Sequence, residues 1–491
     1  MSGDVVDYAS SAVSAESTLL GEWRARIVPW VLAVGALDFG LEQFMVVPIV
    51  PAVQRAEGVP VTTAAWLITG FLLAAVVTAP VLARLGDMYG KRRLLFVSLG
   101  AFGAGSLVCA LAGSMEWLIA GRVLQGCGAA FGPLAIGLAR DHAPPGRAPL
   151  LIGLLVAASG AGAALGLLLG GVLVDHVSVA AVFWLLFAVA LGLLLAVWLF
   201  VPETPVRSPS QPDWAGAALL ATALFTALLA ISQGNAWGWT SARIVLLLVA
   251  SAVSFAAFVF AERAASAPLV DVRLVARRPA LSANVVAFAM GFALFIAGVV
   301  IPQIATLPEA SGYGFGLTIT QTGLLLMPGA LAIVAGGWAS GSLVTVAGVR
   351  PLVAAGAILC AGAYASLVIA HDTVTAVLLA NAVLGLGIGL AIPALMNLVV
   401  HSVGAQHTSV FAATTAVTRS IGAALGAQVA AAIVIGAGVV ELGFPAEDGF
   451  TGAFTLGLIA TLLALAATPL IPTKRTDPVV RGAPDHGVTV A

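Results

Sequence analysis

The sequence predicts an all-α polytopic membrane protein, and three observations support this class. Of the 491 residues, 60% are hydrophobic and 9% are charged, too few charges to cover the surface of a soluble fold. Apolar runs of about 20 residues recur along the whole chain, each long enough to cross ~30 Å of hydrocarbon as a helix. Backbone groups in lipid have no water partner, and the sequence lacks the alternating pattern of a β-barrel, so we expect these runs to be helices.

We predict fourteen spanning helices, joined by connections too short to hold a soluble domain. Each prediction rests on an apolar run of about membrane length. The predicted ranges are 27–50, 62–82, 94–113, 116–138, 150–173, 179–201, 214–233, 243–262, 281–304, 319–340, 351–370, 374–399, 409–438 and 450–471.

The distribution of basic residues predicts the orientation of the chain. With both termini in the cytoplasm, 17 of the 21 Lys and Arg residues lie on the cytoplasmic side, as the positive-inside bias requires. Arg55 and Arg243 fall outside, and Arg122 and Arg419 lie within predicted helices. We therefore expect a multi-pass protein of the cell inner (plasma) membrane with both termini cytoplasmic.

Composition and motifs argue against several other classes of protein. The formal net charge of −1 gives no electrostatic support for nucleic-acid binding. The sequence has no P-loop, no G-x-S-x-G elbow and no H-E-x-x-H motif, so we expect neither a nucleotide site nor an enzyme. Cys109, Cys127 and Cys360 lie in apolar runs without metal-ligand spacing, and we interpret them as small buried hydrophobes. No cofactor and no metal is expected.

The first predicted helix contains two acids within the membrane. Asp38 and Glu42 are four residues apart and so share one helix face. Two carboxylates there are costly to ionise together, so at least one is expected to hold a proton unless Arg122 of the fourth helix pairs with it. We interpret these three residues as a proton-coupling site, with a structural ion pair as the alternative. The corresponding stretch of the ninth helix, from Ile296 to Val300, has no acid.

The connection between the second and third helices is a polar loop, ARLGDMYGKRR. Gly90 permits a tight turn, and Asp87 can accept hydrogen bonds at the N-terminus of a neighbouring helix, where a carboxylate is favoured. The basic residues would anchor the loop in the cytosol, and a merely solvated basic turn is the alternative. We call this loop the gating loop, for the role that a family resemblance described below implies, and assign to it Leu85, Asp87, Gly90, Lys91, Arg92 and Arg93.

Small residues dominate parts of the fourth and fifth helices. In the fourth helix a motif of Gln125, Gly126 and Gly128 follows Arg122, whose charge needs a carboxylate or water unless it snorkels outward. In the fifth helix, glycines spaced by four make a flat face that another helix can approach, with ordinary small-residue packing as the alternative. These glycines are Gly162, Gly166, Gly170 and Gly171.

An internal repeat relates the two ends of the chain. GAALG occurs at 162–166 and again at 422–426, an offset of 260 residues. ARLGDMYGKR at 83–92 aligns with GSLVTVAGVR at 341–350, an offset of 258. The repeat maps the first six helices onto the last six and leaves the seventh and eighth as an insertion. Parallel six-helix repeats are the architecture of one large fold of secondary transporters, in which substrate binds between the halves near the midplane.

The repeat predicts how the chain is divided. The divisions are a cytoplasmic tail at 1–26, a first half at 27–201, two inserted helices at 202–263, a second half at 264–471 and a cytoplasmic tail at 472–491.

Polar side chains within the helices are candidates for the substrate cavity, although an asparagine or glutamine at such a position more often forms an interhelical hydrogen bond than a ligand contact. They are Gln43, Asn284, Gln303, Asn381, Asn397 and Arg419. For Arg419 three interpretations remain open: it lines the cytoplasmic mouth, pairs with a distant carboxylate, or contacts an anionic ligand.

The motifs resemble those of the major facilitator superfamily, and the chain looks most like its fourteen-helix drug:proton antiporter family. The loop is similar to G-x-L-a-D-R-x-G-R-K, with Ala83 and Met88 as departures, and the fourth helix is similar to R-x-x-Q-G-x-G-A-A. The fifth helix is similar to G-x-x-x-G-P-x-x-G-G, with Leu167 where Pro is expected. The resemblance covers nearly all of residues 27–471. It implies a major-facilitator-type fold of two six-helix repeats plus two inserted helices, and a loop that latches the outward-facing state.

The residues and the resemblance together predict a proton-coupled exporter of small hydrophobic or amphipathic compounds. Its partners would be a small-molecule substrate and protons within the lipid bilayer, with no nucleic acid and no nucleotide. One alternative is a proton symporter or facilitator that imports a small solute, which the missing Pro at Leu167 keeps open. A second alternative, from another class, is a non-transporting membrane sensor or scaffold. The sequence leaves the identity and charge of the substrate open.

Overall fold

The computed structural model describes residues 27–142, 148–204, 213–265, 268, 278–402, 408–438 and 444–471. Fourteen helices within these ranges are long and apolar enough to cross a membrane. The predicted all-α polytopic class is therefore confirmed. The predicted tails, 1–26 and 472–491, lie outside the described residues.

We label the spanning helices α1 to α14 in chain order. Their bounds are α1 Ile27–Met45, α2 Val61–Tyr89, α3 Lys91–Ala110, α4 115–142, α5 Ala148–His176, α6 Val179–Phe200, α7 Trp214–Trp237, α8 Ala242–Ala264, α9 Arg278–Thr306, α10 Ile319–Ala347, α11 Val349–Ile369, α12 Val374–Ser402, α13 Thr408–Gly436 and α14 Glu447–Ala467.

Helix α1 ends earlier than the predicted range 27–50, because proline cannot donate a backbone hydrogen bond. Around Pro48 the chain makes tight turns instead, in which Val47 N donates to Phe44 O and Ile49 N donates to Val46 O, at 3.1 and 3.2 Å. A short helix, Val50–Glu57, then leads to α2.

Helix α4 changes its winding in the middle. A 3₁₀ segment, Cys127–Ala130, separates two α-helical parts, Met115–Gly126 and Phe131–His142. The Ser98 hydroxyl of α3 donates to Cys127 O and Gly128 O at 3.2 and 3.0 Å. These bonds give the carbonyl groups at the 3₁₀ segment a hydrogen-bond partner, which they need because hydrocarbon offers no water.

Glycines bring α1 against α5 and α9 against α13 by the same contact. A Cβ built on Gly162 would lie 1.8 Å from Leu37 O of α1, and one on Gly422 would lie 2.2 Å from Phe288 O of α9. Gly166 approaches Leu41 O in the same way. Since lipid gives no hydrophobic drive for helix association, close approach of this kind supplies the van der Waals contact that holds the helices together.

A second pair of equivalent contacts joins α3 to α4 and α11 to α12. A Cβ on Gly121 would meet Cys109 Sγ at 2.4 Å, and a Cβ on Gly387 would meet Cys360 Sγ at 2.6 Å. These buried cysteines therefore fill equivalent positions between small helix faces. The recurrence of both contacts agrees with the predicted repeat of six helices.

The two halves meet along two helix pairs, α5 with α10 and α2 with α13. The inserted helices α7 and α8 pack on each other, and α7 also packs on α2 and α13. The Trp66 indole N–H of α2 donates to the Ser232 hydroxyl of α7 at 3.0 Å. Helix α8 is the most peripheral of the fourteen described spans. Of an 18-residue apolar stretch in each helix, 11% is buried in α8 and 72% in α9.

Candidate functional site

Asp38 and Glu42 lie together on a buried face of α1. Their exposed fractions are 3% and 2%. Asp38 Oδ1 and Glu42 Oε1 have no hydrogen-bond partner among the described residues. An ionised carboxylate without such partners is costly in the membrane interior, so this arrangement fits carboxyl groups that carry protons.

Arg122 of α4 is 1% exposed and is held by neutral groups. Its Nε donates to Leu67 O of α2, and its Nη1 donates to Gln125 Oε1, both at 2.7 Å. The guanidinium also lies over the Phe71 ring, 4.7 Å from the centroid. Gln125 in turn donates to the Ser106 hydroxyl of α3 at 2.8 Å. Arg122 is thus fixed by a hydrogen-bond chain that links three helices.

The two acids and Arg122 interact electrostatically but are not in contact. Arg122 and Glu42 influence each other's charge, as do Glu42 and Asp38. Among the described residues, no ion pair within 4.0 Å joins Arg122 to either acid. The structural ion pair considered as an alternative is therefore not formed in this structure. Charges within reach but out of contact can pair or separate when a proton arrives or leaves.

The gating loop lies at one face of the bundle, which we call the Lys91 face and which the sequence predicts to be cytoplasmic. Lys91 Nζ lies 2.7 Å from Asp141 Oδ2 at the end of α4 and 3.6 Å from Asp87 Oδ1. Asp141 Oδ2 also accepts the Thr204 hydroxyl at 2.7 Å. Lys91 thus ties the loop to the ends of two other helices of the first half.

Glu203, just beyond α6, occupies the N-terminus of α3. Its carboxylate accepts the backbone N–H groups of Arg92 and Arg93 at 3.0 and 3.3 Å. Position 90 requires glycine for two reasons. Its φ of 115° is unfavourable for other residues, and a Cβ there would lie 2.7 Å from Glu203 Cδ. We expected Asp87 to cap a neighbouring helix, but Asp87 is exposed and its described ion pair is with Lys91.

Glu203 was not among the residues that sequence analysis selected. A signal was present, because this acid stands between two prolines directly after a predicted helix at a cytoplasmic end. The remaining loop residues are placed by simpler contacts. Leu85 packs, partly buried, on two apolar clusters, and Arg92 Nη2 donates to Trp198 O at 2.7 Å.

At the opposite face, which we call the Asp175 face, a carboxylate of one half likewise binds the N-terminus of a helix, here one of the other half. Asp175, at the end of α5, accepts the N–H groups of Ile319 and Thr320 at the start of α10, at 3.2 and 2.7 Å. Directly below, a Cβ on Gly171 would lie 2.6 Å from Thr320 Cα, and one on Gly323 would lie 2.1 Å from Leu167 O. The last glycine of the α5 motif therefore faces the other half, whereas Gly162, Gly166 and Gly170 face α1.

Further hydrogen bonds join the halves toward the same face. Gln303 Nε2 of α9 donates to Gln54 Oε1 at 2.7 Å. Gln428 of α13, which is fully buried, donates to Thr62 O at 3.0 Å and accepts the Thr69 hydroxyl at 3.3 Å. The described contacts thus hold the Asp175 face shut.

A small apolar cavity lies between the halves. Its volume is about 40 Å³. Phe44 of α1 and Phe295 of α9 contribute aromatic rings, and Asn381 of α12 contributes the amide. Asn381 Nδ2 donates to Leu326 O at 3.0 Å. This lining suits an apolar ligand with few polar groups.

The other cavity candidates lie elsewhere. Asn284 is buried and donates to Ala280 O of its own helix at 2.8 Å, and Gln303 joins the halves as described. Gln43 and Arg419 do not line the cavity. The side chain of Asn397 lies outside the described residues. In the part of the chain that the structure describes, no cluster of three His, Cys, Asp or Glu residues is arranged to hold a metal.

Comparison with known proteins gives one consistent result. Residues 32–427 match the family model described as Major Facilitator Superfamily. A tetracenomycin C resistance and export protein of Streptomyces glaucescens is 33% identical over 55% of this chain and 51% of its own length. An uncharacterised MFS-type transporter of Mycobacterium tuberculosis is 31% identical over 87% of this chain and 62% of its own length. Multidrug resistance protein 3 of Bacillus subtilis is 29% identical over 54% of this chain and 51% of its own length.

The chain thus spans between half and two thirds of the length of these curated relatives. Solved structures resemble it over most of its length. The human organic anion transporter MFSD10 (TETRAN) covers 90% of this chain with a TM-score of 0.61 at 18% identity. A variant of the nucleoside transporter NupG covers 91% with a TM-score of 0.64 at 12% identity. At such identities the likeness concerns the fold alone.

Proposed function

The chain belongs to the Major Facilitator Superfamily, and on that premise we propose that it is a proton-coupled antiporter that exports small hydrophobic or amphipathic compounds. Members of this superfamily are multi-pass membrane transporters of small molecules and not enzymes. The observation that carries the proposal is the pair of buried acids in α1, Asp38 and Glu42, whose Oδ1 and Oε1 atoms have no hydrogen-bond partner among the described residues.

The energetics of burial explain how these acids would couple transport to protons. In the closed structure a carboxyl group without partners is cheapest in its neutral form. Opening the cavity to either side admits water, which stabilises the charged form and lets the proton leave. Arg122, held nearby but out of contact, would attract whichever carboxyl has lost its proton. A proton that enters from outside and leaves inside yields ~2.3 kcal/mol per 100 mV of membrane potential.

The lining of the cavity indicates a hydrophobic substrate, and its small volume indicates that the two halves move apart during transport. Its lining is mostly apolar, with two phenylalanines and one asparagine amide. At about 40 Å³ it holds a few waters, whereas ligand pockets usually measure about 300–1,000 Å³. A drug-sized compound would therefore enter only when the halves separate, which agrees with rocking of one six-helix half against the other. The export and resistance functions named for the Streptomyces and Bacillus relatives support the same direction of transport.

The coupling proposal is tested in everted vesicles, where export appears as uptake driven by a proton gradient. We expect the double variant Asp38→Asn, Glu42→Gln to lose gradient-driven uptake while keeping substrate binding, because neither amide can release a proton. Glu57→Gln is the matched control, since Glu57 is an exposed acid at the end of the short helix after α1. Uncoupler-sensitive uptake at the wild-type rate in the double variant would show that these acids do not couple transport.

The direction of transport is tested separately in intact cells. An exporter keeps the cellular concentration of a toxic dye low until an uncoupler is added. Accumulation of the dye above its external concentration would instead identify an importer, the function that Leu167 in place of Pro leaves open. Residue 167 lies in an uninterrupted helix, α5, which packs closely on α10 through Gly323.

A further inference from the structure

Arg419 lies level with the middle of α9. A Cβ on Gly291 of α9 would approach Arg419 O to 2.2 Å, so the two residues are at the same depth. Gly291 is 13 residues from the start of α9 and 15 from its end. At ~1.5 Å per residue, this is about 20 Å from either end of the helix. The backbone of Arg419 therefore lies deep within the bundle, far from both ends of α9.

The repeat gives Arg419 a counterpart in the first half. There, Gly40 of α1 meets Ser159 O of α5, just as Gly291 meets Arg419 O. Gly40 stands between the two acids, Asp38 and Glu42. Arg419 thus lies at the depth of the proton-coupling acids but in the other half of the protein.

Its side chain leaves α13 toward protein and not toward lipid. Ala423 and Ala430, which follow at i+4 and i+11, share its helix face and are 1% and 0% exposed. Arg419 itself is only partly buried. Part of Arg419 is therefore accessible, although the neighbouring alanines on its helix face are buried.

No protein group neutralises this charge among the residues that the structure describes. Arg419 has no hydrogen bond and no ion pair there, and it is not among the residues with further contacts. Of the two acids within α1, Glu42 interacts with Arg122 and Asp38 interacts with Glu42. The acids outside the described ranges belong to predicted tails and connections, not to predicted helices. Arginine does not lose its proton in proteins, so a positive charge remains at this depth of the bundle.

We propose that Arg419 binds the anionic group of the transported compound, so that the substrates are amphipathic organic anions bearing a carboxylate or a similar planar acid. This inference rests on the proposed export function and narrows its substrate class. The guanidinium presents paired N–H donors that match a carboxylate, which gives both charge compensation and orientation. The apolar body of the compound would extend toward the cavity that Phe44, Phe295 and Asn381 line.

The test uses dansylglycine, a fluorescent carboxylate, and its neutral amide, which has the same aromatic body. Binding of each is measured by fluorescence to the full-length protein in lipid nanodiscs, with empty nanodiscs subtracted. We expect wild-type protein to bind the acid at least about tenfold more tightly than the amide, as expected for hydrogen bonds to a charged group. Arg419→Gln should abolish this preference, and Arg419→Lys should retain part of it because the charge remains without the planar donor pair.

Two controls separate this inference from misfolding and from the coupling proposal. Unchanged binding of the amide shows that Arg419→Gln is folded, and Arg243→Gln, a surface arginine near Trp237, should keep the preference for the acid. Equal binding of acid and amide by wild-type protein, or an unchanged preference in Arg419→Gln, would overturn the inference. The coupling proposal would still stand or fall by the double variant of Asp38 and Glu42, because binding in nanodiscs requires no proton gradient.

Discussion

Removing the carboxylate of Asp175 should open the Asp175 face of the protein. Asp175 belongs to α5 in the first half, and the N–H groups that it accepts, those of Ile319 and Thr320, belong to α10 in the second half. These bonds must break when the halves separate at this face. The change Asp175→Asn removes the charge and at least one of the two bonds. It therefore weakens only the closed state.

The size of the effect follows from the geometry. Loss of a side-chain cap at a helix N-terminus typically costs ~1 kcal/mol. The interaction of a carboxylate with the helix dipole adds about 0.3–1 kcal/mol. Asp175 is exposed, so a total of about 1–2 kcal/mol is reasonable, and the ratio of open to closed protein should rise roughly 5- to 30-fold. Helix α10 itself should stay intact, because Thr318 and Gln321 also form a capping box at its N-terminus.

The assay is labelling of a cysteine by a maleimide that cannot cross the membrane. Val47 lines the cavity and is 3% exposed, so Val47→Cys reports opening when the three native cysteines are replaced by alanine. We expect Asp175→Asn to raise the labelling rate from outside roughly 5- to 30-fold. Glu116→Gln is the matched control, because Glu116 accepts the hydroxyl of Ser114 within its own half. A rate within twofold of the parent, or an equal rise in Glu116→Gln, would refute the latch.

Two further predictions concern packing and the gating loop. Gly162→Ala places a methyl group 1.8 Å from a carbonyl oxygen of α1, so we expect a cost of about 1–3 kcal/mol and a lower melting temperature in detergent. Gly192→Ala, which has no atom within 4 Å of its new Cβ, should melt at the wild-type temperature or above, and equal melting of the two variants would contradict the packing argument. Lys91→Ala removes the charged partner of Asp141 and leaves it only the Thr204 hydroxyl, so transport and melting temperature should both fall. Arg93→Ala removes a 70% exposed side chain at 4.0 Å from its acid and should have little effect; similar losses in both variants would show that general loop charge, not the buried pair, is what matters.

Much of the fold was readable from the sequence because lipid restricts the choices of a chain so strongly. An apolar run of about 20 residues in hydrocarbon must be a helix, since only a helix satisfies every backbone group within the segment. The fourteen predicted spans correspond to the fourteen described helices. The predicted end of α1 at residue 50 was wrong, because Pro48 lacks a backbone N–H and the helix ends at Met45.

The candidate site was only partly predictable. The spacing of Asp38 and Glu42 placed both acids on one helix face, and the structure buries both of them. Their lack of direct contact with Arg122 depends on Leu67 O and Gln125, which satisfy the guanidinium from neighbouring positions. No local pattern reveals such a choice between competing acceptors.

The contacts between helices were the least predictable feature. The cap of α3 comes from Glu203 and that of α10 from Asp175, although sequence analysis chose Asp87 for this kind of role. Asn381 is the asparagine that lines the cavity, whereas the Asn284 side chain donates a hydrogen bond to a carbonyl group of its own helix.

The sequence by itself thus determined the solvent, the number of helices, the six-helix repeat and the few charges that the membrane must accommodate. These properties depend on local composition, because the free energy of transfer into lipid and the pairing of backbone groups are decided segment by segment. Tertiary structure alone decided which carboxylate meets which helix end, which amide faces the cavity and which arginine keeps a free charge. Those outcomes depend on the rotation and crossing of whole helices, which many small packing contacts fix together and no single stretch of sequence encodes.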